Sequence, residues 1–165
     1  MTLPFRWAWP VALALLVSGC AGYSPSAVRP GMASGEVQQL MGPPTGSHTL
    51  ANGGSRLEFA RGPQGFHTYM VDLDAAGRVT RWEQVLGEEQ FHAIQPGTPR
   101  EELLRRLGRP GFVRPGGLQP GEVWTYRFDD VFCRWWEVEV VDSRVRGAGF
   151  SPDPRCEKNI ERDMP

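Results

Sequence analysis

The stretch VRPGMASGEVQQLMGPP at residues 28–44 recurs as IQPGTPREELLRRLGRP at residues 94–110. The residues identical in both copies keep a constant spacing of 66 positions, without a gap. They are Pro30 and Pro96, Gly31 and Gly97, Glu36 and Glu102, Gly42 and Gly108, and Pro44 and Pro110. A match of this kind within one chain indicates an internal repeat, so the fold of one unit determines the fold of most of the chain.

Each copy of the repeated stretch carries the local signals of a short helix. A Pro-Gly turn precedes the helix, and a Gly-x-Pro sequence ends it after about two turns. In the second copy Thr98 is a suitable N-cap, Pro99 suits the first helical position, and Glu101 completes a capping box. The apolar stripe of this helix consists of Leu103, Leu104 and Leu107.

Three strand-like segments follow each helix, marked by alternating apolar and polar residues. They span residues 56–60, 68–73 and 79–85 in the first copy, and residues 123–128, 135–141 and 144–146 in the second. We therefore expect an α+β fold of two tandem repeats, each a short helix packed on a three-stranded antiparallel meander sheet. Because one unit makes only a thin core, we expect the two sheets to pack together or to pair at their edges.

The pattern Pro-Gly-Met-x-x-x-Glu-Val-x-x-Leu-Met-Gly-x-Pro at residues 30–44, with Asp-x-x-Gly-Arg-Val at residues 74–79, resembles the SmpA/OmlA (BamE-like) family of outer-membrane lipoproteins. The resemblance is weaker in the second copy, where Gly97-Thr98-Pro99 replaces Gly-Met. Two tandem units are similar in architecture to the secreted β-lactamase inhibitor proteins. The resemblance implies a protein that acts by binding other proteins. The best-known member, a subunit of the β-barrel assembly machinery, has a single unit.

Residues 1–19 have the parts of an export signal. Arg6 precedes the apolar residues 7–17, a run shorter than the roughly 20 apolar residues needed to span a bilayer. The sequence Val17-Ser18-Gly19-Cys20 resembles the lipobox of bacterial lipoproteins, which implies cleavage before Cys20 and attachment of a diacylglyceryl group to its thiol, with palmitate among the acyl chains of the modified cysteine. By the same resemblance, Ala21 implies sorting to the outer membrane, on its periplasmic face.

These observations divide the chain into five parts. They are a signal peptide (residues 1–19), a lipidated cysteine with its tether (20–27), a first BamE-like unit (28–91), a second unit (92–151) and a C-terminal tail (152–165).

Two cysteines remain when Cys20 is acylated. Spare cysteines in an oxidising periplasm usually pair, so we expect a disulfide between Cys133 and Cys156 that attaches the tail to the second unit. The formal net charge of −1 argues against a nucleic-acid surface, which would carry a clustered basic excess.

The sequence contains no convincing catalytic or metal-binding set. His48, His67 and His92 share no zinc-like spacing, and Asp129-Asp130 lacks the spaced oxygen ligands of a calcium loop. We therefore expect no enzymatic activity, metal, cofactor or small-molecule substrate.

The neighbours Trp135 and Trp136 must point to opposite faces of a strand. One of them belongs to a core, and the other is a candidate for protein binding, because tryptophan is enriched at binding hot spots. Core packing, or cover by the tail that carries Cys156, is the alternative for the outward ring.

Together these features favour an outer-membrane lipoprotein that acts by protein–protein interaction in cell-envelope or outer-membrane protein assembly. One alternative is an inhibitor-like module that binds a periplasmic or foreign enzyme. Another is a structural envelope lipoprotein that contacts lipid or peptidoglycan. Function inferred from a shared fold is analogy and needs a site to support it.

Overall fold

The computed structural model describes residues 23–117 and 120–156. Its helices are α1 (Ser34–Met41), α2 (Glu88–His92) and α3 (Arg100–Leu107), with 3₁₀ turns at Pro25–Ala27 and Gly62–Gln64. Its strands are β1 (Gly46–Thr49), β2 (Ser55–Ala60), β3 (Thr68–Leu73), β4 (Val79–Gln84), β5 (Phe112–Pro115), β6 (Glu122–Arg127), β7 (Arg134–Val141) and β8 (Arg144–Pro152).

Within the described residues the strands form two antiparallel sheets, sheet 1 in the order β1-β2-β3-β4 and sheet 2 in the order β5-β6-β7-β8. The predicted α+β class is confirmed, but each sheet has four strands rather than the predicted three. The additional strands, β1 and β5, each follow a helix directly. Their side chains are at least partly exposed at every position, so their sequences lack the apolar alternation that marks a half-buried strand.

The two main helices begin differently although their sequences match. At the start of α1 the Glu36 carboxylate accepts a hydrogen bond from the Ala33 backbone N–H at 2.7 Å. Helix α3 begins at Arg100 with Pro99 as its N-cap, so the predicted capping by Thr98 is wrong. Thr98 belongs instead to a turn: its hydroxyl donates to the Gln95 carbonyl at 2.7 Å, and its own carbonyl accepts from Val145 N–H at 2.8 Å.

Helix α1 covers one face of sheet 1. Its buried residues Val37 and Met41 pack on the inward side chains of β2 and β3, and Val28 and Val79 complete this first core. The strand residues in it are Leu57, Phe59, Val71 and Leu73.

Helix α3 lies between the two sheets and forms the centre of the second core. Leu103 and Leu107 are fully buried among residues of sheet 2 and of the far face of sheet 1. The sheet 2 residues are Trp124, Tyr126, Trp136, Val138, Val140 and Val145, and sheet 1 with its following loop adds Met70, Val85 and Leu86.

The end of α3 is bound to both sheets by hydrogen bonds. The Tyr126 hydroxyl of sheet 2 donates to the Gly108 carbonyl at 3.0 Å, and the Arg109 backbone N–H donates to Glu58 of sheet 1 at 3.2 Å. Gly108 has a φ of +76°, and a Cβ there would lie 2.9 Å from the Glu58 carboxyl carbon. The two sheets therefore pack together around α3, one of the two predicted arrangements, and their described strands form no edge-to-edge pairing.

The short helix α2 was not predicted. Its residue Phe91 lies at the end of the predicted first unit but packs in the second core, where its ring stacks on Trp136 with the centroids 4.6 Å apart. No helix in residues 23–117 and 120–156 is both long enough and apolar enough to cross a membrane.

Candidate functional site

The predicted lipidation residue Cys20 and the signal peptide lie outside the described residues, which begin at Tyr23. Tyr23 is held in place by the loop between β2 and β3, because the Arg61 guanidinium lies 3.4 Å from the centroid of its ring. Burial raises the pKa of Tyr23 to about 12, although the positive charge of Arg61 acts in the opposite direction. The start of the described chain is thus attached to one end of sheet 1.

The two predicted tryptophans point to opposite faces of β7. Trp136 is buried in the second core, with 3% of its surface exposed. Trp135 is the outward one: it is partly exposed and stacks on Phe112 of β5 with the centroids 5.6 Å apart. The structure therefore leaves only Trp135 as a candidate contact residue of this pair, and part of its ring is already covered.

The structure brings Cys133 and Cys156 to disulfide distance, with 6.4 Å between their Cα atoms. Hydrogen bonds also hold the tail on sheet 2: Asp153 N–H donates to the Cys133 carbonyl at 2.9 Å, and its carboxylate accepts from Arg127 at 3.0 Å. Burial opposes the ionisation of Asp153, but the hydrogen bonds from Arg155 and Arg127 and the positive charge of Arg127 outweigh it and lower its pKa.

The other polar candidates from the sequence lie apart from one another. His48 contacts Glu58 at 3.3 Å, while the rings of His67 and His92 lie against Tyr69 and Phe150. Asp130 accepts hydrogen bonds from Arg134, which lower the pKa of that carboxyl group. Residues 23–117 and 120–156 contain no group of three or more His, Cys, Asp or Glu side chains placed to hold a metal ion.

A cleft of about 450 Å³ lies between β1, α3 and β5 and is called the junction cleft below. The junction cleft is lined by Gly46, Ser47, His48, Glu58, Arg100, Leu104, Arg109, Pro110, Val113 and Trp124. Because β1 belongs to sheet 1 and β5 to sheet 2, the cleft exists only where the two units meet.

The floor of the junction cleft is apolar and partly open. Val113 of β5 exposes 52% of its surface, and the partly buried Leu104 of α3 and the buried Trp124 of β6 lie beside it in the lining. An apolar side chain of a partner would remove this surface from water, at about 25 cal/mol per Å².

Arginines at the two ends of α3 flank the cleft. The Arg100 guanidinium lies 5.0 Å from the centroid of the Trp124 ring, an arrangement that leaves its N–H donors available to a carboxylate. At the other end Arg109 is held in position, since it donates to the Thr45 carbonyl at 2.6 Å and its Nε lies 3.4 Å from Glu58. The rim is therefore suited to an acidic group on the side of Arg100.

Glu58 is the only acid in the lining and is occupied with structural contacts. It is 2% exposed, and its Oε1 atom accepts from the Thr45 hydroxyl at 3.0 Å and from Arg109 N–H at 3.2 Å. A carboxylate satisfied in this way holds the two units together.

Both β1 and β5 are the outermost strands of their sheets in the described part of the chain. The outer edge of such a strand presents backbone N–H and C=O groups that an extended peptide can bind. The cleft thus combines an apolar floor, a cationic rim and two open strand edges, a set suited to holding a peptide segment of another protein.

A second groove, also of about 450 Å³, runs along the strand β8 at the opposite edge of sheet 2 from β5. Its lining is more apolar and includes Phe91, Ile94, Trp136, Ala148 and Phe150. This groove is the weaker candidate because, apart from His92, its lining contains no cationic or acidic side chain that could select a partner.

The sequence did not reveal the junction cleft. Its lining comes from residue 58 and from segments around residues 46–48, 100–113 and 124, which only the stacking of the two units brings together. The single usable signal was the repeat, in which Arg100 and Arg109 flank the second helix whereas Ser34 and Pro43 stand at the corresponding positions of the first.

Comparison with known proteins adds little to this description. No protein-family model matches the chain, and no curated protein matches it. Among solved structures it is similar to a DUF4309 family protein (YjgB) from Bacillus subtilis, with 13% sequence identity and a TM-score of 0.29. The alignment covers 73% of this chain and 78% of that one. A likeness at this level carries no argument about fold or function.

Proposed function

We propose that this chain is a lipid-anchored outer-membrane protein that faces the periplasm and binds another envelope protein as an accessory in outer-membrane protein assembly. The lipobox-like sequence at residues 17–20 supports the anchor, and the resemblance of the repeat to the BamE-like family supports the place of action. We further propose that the two halves are tandem copies of one BamE-like unit. The same order of one main helix and four strands in each half supports this.

The observation that carries the binding role is the junction cleft. Its floor at Val113 and Leu104 is suited to an apolar side chain, and Arg100 is placed to pair with a carboxylate beside it. The partner segment we propose is therefore extended, with an apolar anchor residue next to an acidic one. Its backbone would pair with the edge of β1 or β5.

The test is purification of the tagged lipoprotein from its native membranes in mild detergent, with mass spectrometry of the accompanying proteins. The informative variant is Val113→Asp, which places a charge on the exposed floor without changing a buried residue. Ala51→Asp is the matched control, because it adds the same charge at an exposed position outside the cleft. Cys20→Ala tests whether the association needs the anchor.

We expect subunits of the β-barrel assembly machinery to accompany the wild-type and Ala51→Asp proteins and to be lost from Val113→Asp. Enrichment of a different envelope protein that is likewise lost from Val113→Asp would contradict the assembly role but support the binding role. Equal recovery of every protein with all variants would contradict the junction cleft as the binding site.

A further inference from the structure

A cluster of exposed apolar side chains occupies one end of the molecule. Val131 and Phe132, in the loop between β6 and β7, expose 93% and 74% of their surfaces, and Phe66, in the loop between β2 and β3, exposes 40%. We call these three residues the apolar tip. Neither loop lines the junction cleft, and the function proposed above makes no use of them.

A continuous set of contacts joins the two loops of the apolar tip. The Arg127 guanidinium lies 4.2 Å from the centroid of the Phe66 ring and donates to Asp153 at 3.0 Å. The Asp153 backbone N–H in turn donates to the carbonyl of Cys133, the residue after Phe132. Sheet 1 and sheet 2 therefore present their exposed apolar loops on one common surface.

The described chain begins at this same end. Tyr23 packs under Arg61, and Arg61 opens the loop that carries Phe66. Cys20 precedes Tyr23 by three residues, which reach at most about 11 Å when fully extended. Acyl chains on Cys20 would therefore enter the membrane beside the apolar tip.

The two arginines that lie against the aromatic rings of the apolar tip are paired with carboxylates. Arg134, whose guanidinium lies 5.0 Å from the Phe132 ring centroid, pairs with Asp130 at 2.9 Å and with Glu88. Arg127 pairs with Asp153. Paired charges give little attraction to an anionic surface, so apolar burial dominates whatever contact this end makes.

We propose that the apolar tip inserts Val131 and Phe132 into the interfacial region of the bilayer, as a second membrane contact next to the acylated Cys20. This inference rests on the proposed lipid anchor. The acyl chains of Cys20 supply the attachment, and burial of Val131 and Phe132 adds about 25 cal/mol per Å² of apolar surface removed from water. The contact also fixes orientation: the ends of the strands that carry these loops face the membrane, and the molecule does not swing freely on its tether.

The test places the photo-crosslinking residue p-benzoylphenylalanine at position 132 of the full-length, acylated protein. The same probe at Ala75, an exposed position in the turn between β3 and β4 at the other end of sheet 1, is the control. Native membranes are irradiated and adducts are sorted by mass spectrometry into lipid and protein. A parallel sample uses purified protein in vesicles of phosphatidylethanolamine and phosphatidylglycerol, and in vesicles of phosphatidylcholine alone.

We expect lipid adducts at position 132 in several-fold excess over position 75, with similar yields in both kinds of vesicle because the contact is apolar. Adducts to another protein at position 132 would overturn the proposal and make the apolar tip a protein-binding surface. Equal yields at positions 132 and 75 would overturn it too, since both positions would then lie in water.

The mass of the N-terminal peptide separates failure of this inference from failure of the proposed function. An acylated Cys20 together with silent probes would refute the apolar tip while the anchor stands. A Cys20 without acyl chains would refute the anchor and this inference with it.

Discussion

Glu58 is a buried residue of sheet 1 that contacts the end of α3 and so joins the two units. Its carboxylate is buried beneath the end of α3 and accepts hydrogen bonds from Thr45 and from the Arg109 backbone, with His48 also within reach. Removing it leaves buried donors without an acceptor, which costs more than a typical hydrogen bond contributes.

We expect Glu58→Ala to lower the free energy of unfolding by about 3 kcal/mol, and Glu58→Gln by only about 1 kcal/mol because the amide oxygen can still accept. Denaturant unfolding at neutral pH measures both values. Glu101→Ala, at an exposed position of α3, is the control and should stay within about 0.5 kcal/mol of wild type. A Glu58→Ala protein as stable as this control would contradict the structural role.

Tyr126 links stability to alkaline pH. Complete burial raises its pKa well above the ordinary value of 10.0, and the negative charge of Glu58 adds to the effect. A group whose pKa is raised in the folded state contributes stability that is fully present below the unfolded pKa and is lost as the pH rises above it. The unfolded chain therefore gains from ionisation above pH 10.0, and the folded chain does not.

We expect Tyr126→Phe to cost about 1 kcal/mol at neutral pH, through the lost hydrogen bond to the Gly108 carbonyl. Because phenylalanine does not ionise, the balance should shift by about 1.4 kcal/mol in favour of Tyr126→Phe at about pH 11, so that the variant becomes slightly more stable than wild type there. Urea unfolding at the two pH values gives both numbers. A difference that is independent of pH would show that Tyr126 ionises equally in both states.

At the scale of elements, the sequence predicted those helices and strands that a turn sequence or a hydrophobic periodicity marks. The repeat around Gly31 and Gly97 located α1 and α3, and alternation located six strands to within a few residues at most boundaries. Strand β8 runs to Pro152, well beyond the predicted residue 146. The sequence did not predict its second half because that part contains Gly147, Gly149 and Pro152 and shows no alternation of apolar and polar residues. Elements without a buried face, such as β1 and β5, leave no such pattern.

The junction cleft could not be predicted from sequence patterns either, for a different reason. Val113 and Trp124 are neighbours of Gly46 only because α3 packs against both sheets. Side-chain patterns report which face of an element is buried but not which element buries it. A sequence pattern could therefore select Trp135 and Trp136 as candidates, yet could not say which of them remains on the surface.

The proposed disulfide attaches the C-terminal tail to sheet 2. Cys133 and Cys156 are 23 residues apart, and cross-linking a loop of this length stabilises a protein by about 3 kcal/mol in the chain-entropy model. We expect Cys156→Ser to lose about that amount of unfolding free energy, and reduction of the wild-type protein to have the same effect. Two reactive thiols in unreduced, denatured wild-type protein would show that the bond does not form.

At the scale of the molecule, α1, sheet 1, α3 and sheet 2 are stacked in that order. Sheet 1 is covered on both faces, by α1 on one and by α3 on the other, whereas sheet 2 packs against α3 with one face. The second unit thus supplies part of the cover of the first. A first unit alone would expose Met70, Val85 and Leu86 to water.

This stacking predicts that the molecule unfolds as one unit rather than as two. Leu107 of α3 and Val37 of α1 are both completely buried, with 0% of their surfaces accessible to solvent. They belong to different cores. We expect Leu107→Ala to cost about 3 kcal/mol of unfolding free energy and Val37→Ala somewhat less, because fewer carbon atoms are removed.

Native-state hydrogen exchange is the measurement, with backbone amides of β3 and β7 as the reporters. If the cores are coupled through α3, each substitution lowers the protection of both strands by the same free energy. If Val37→Ala lowers protection in β3 and leaves β7 unchanged, the units are separable, and the junction cleft can open when they part.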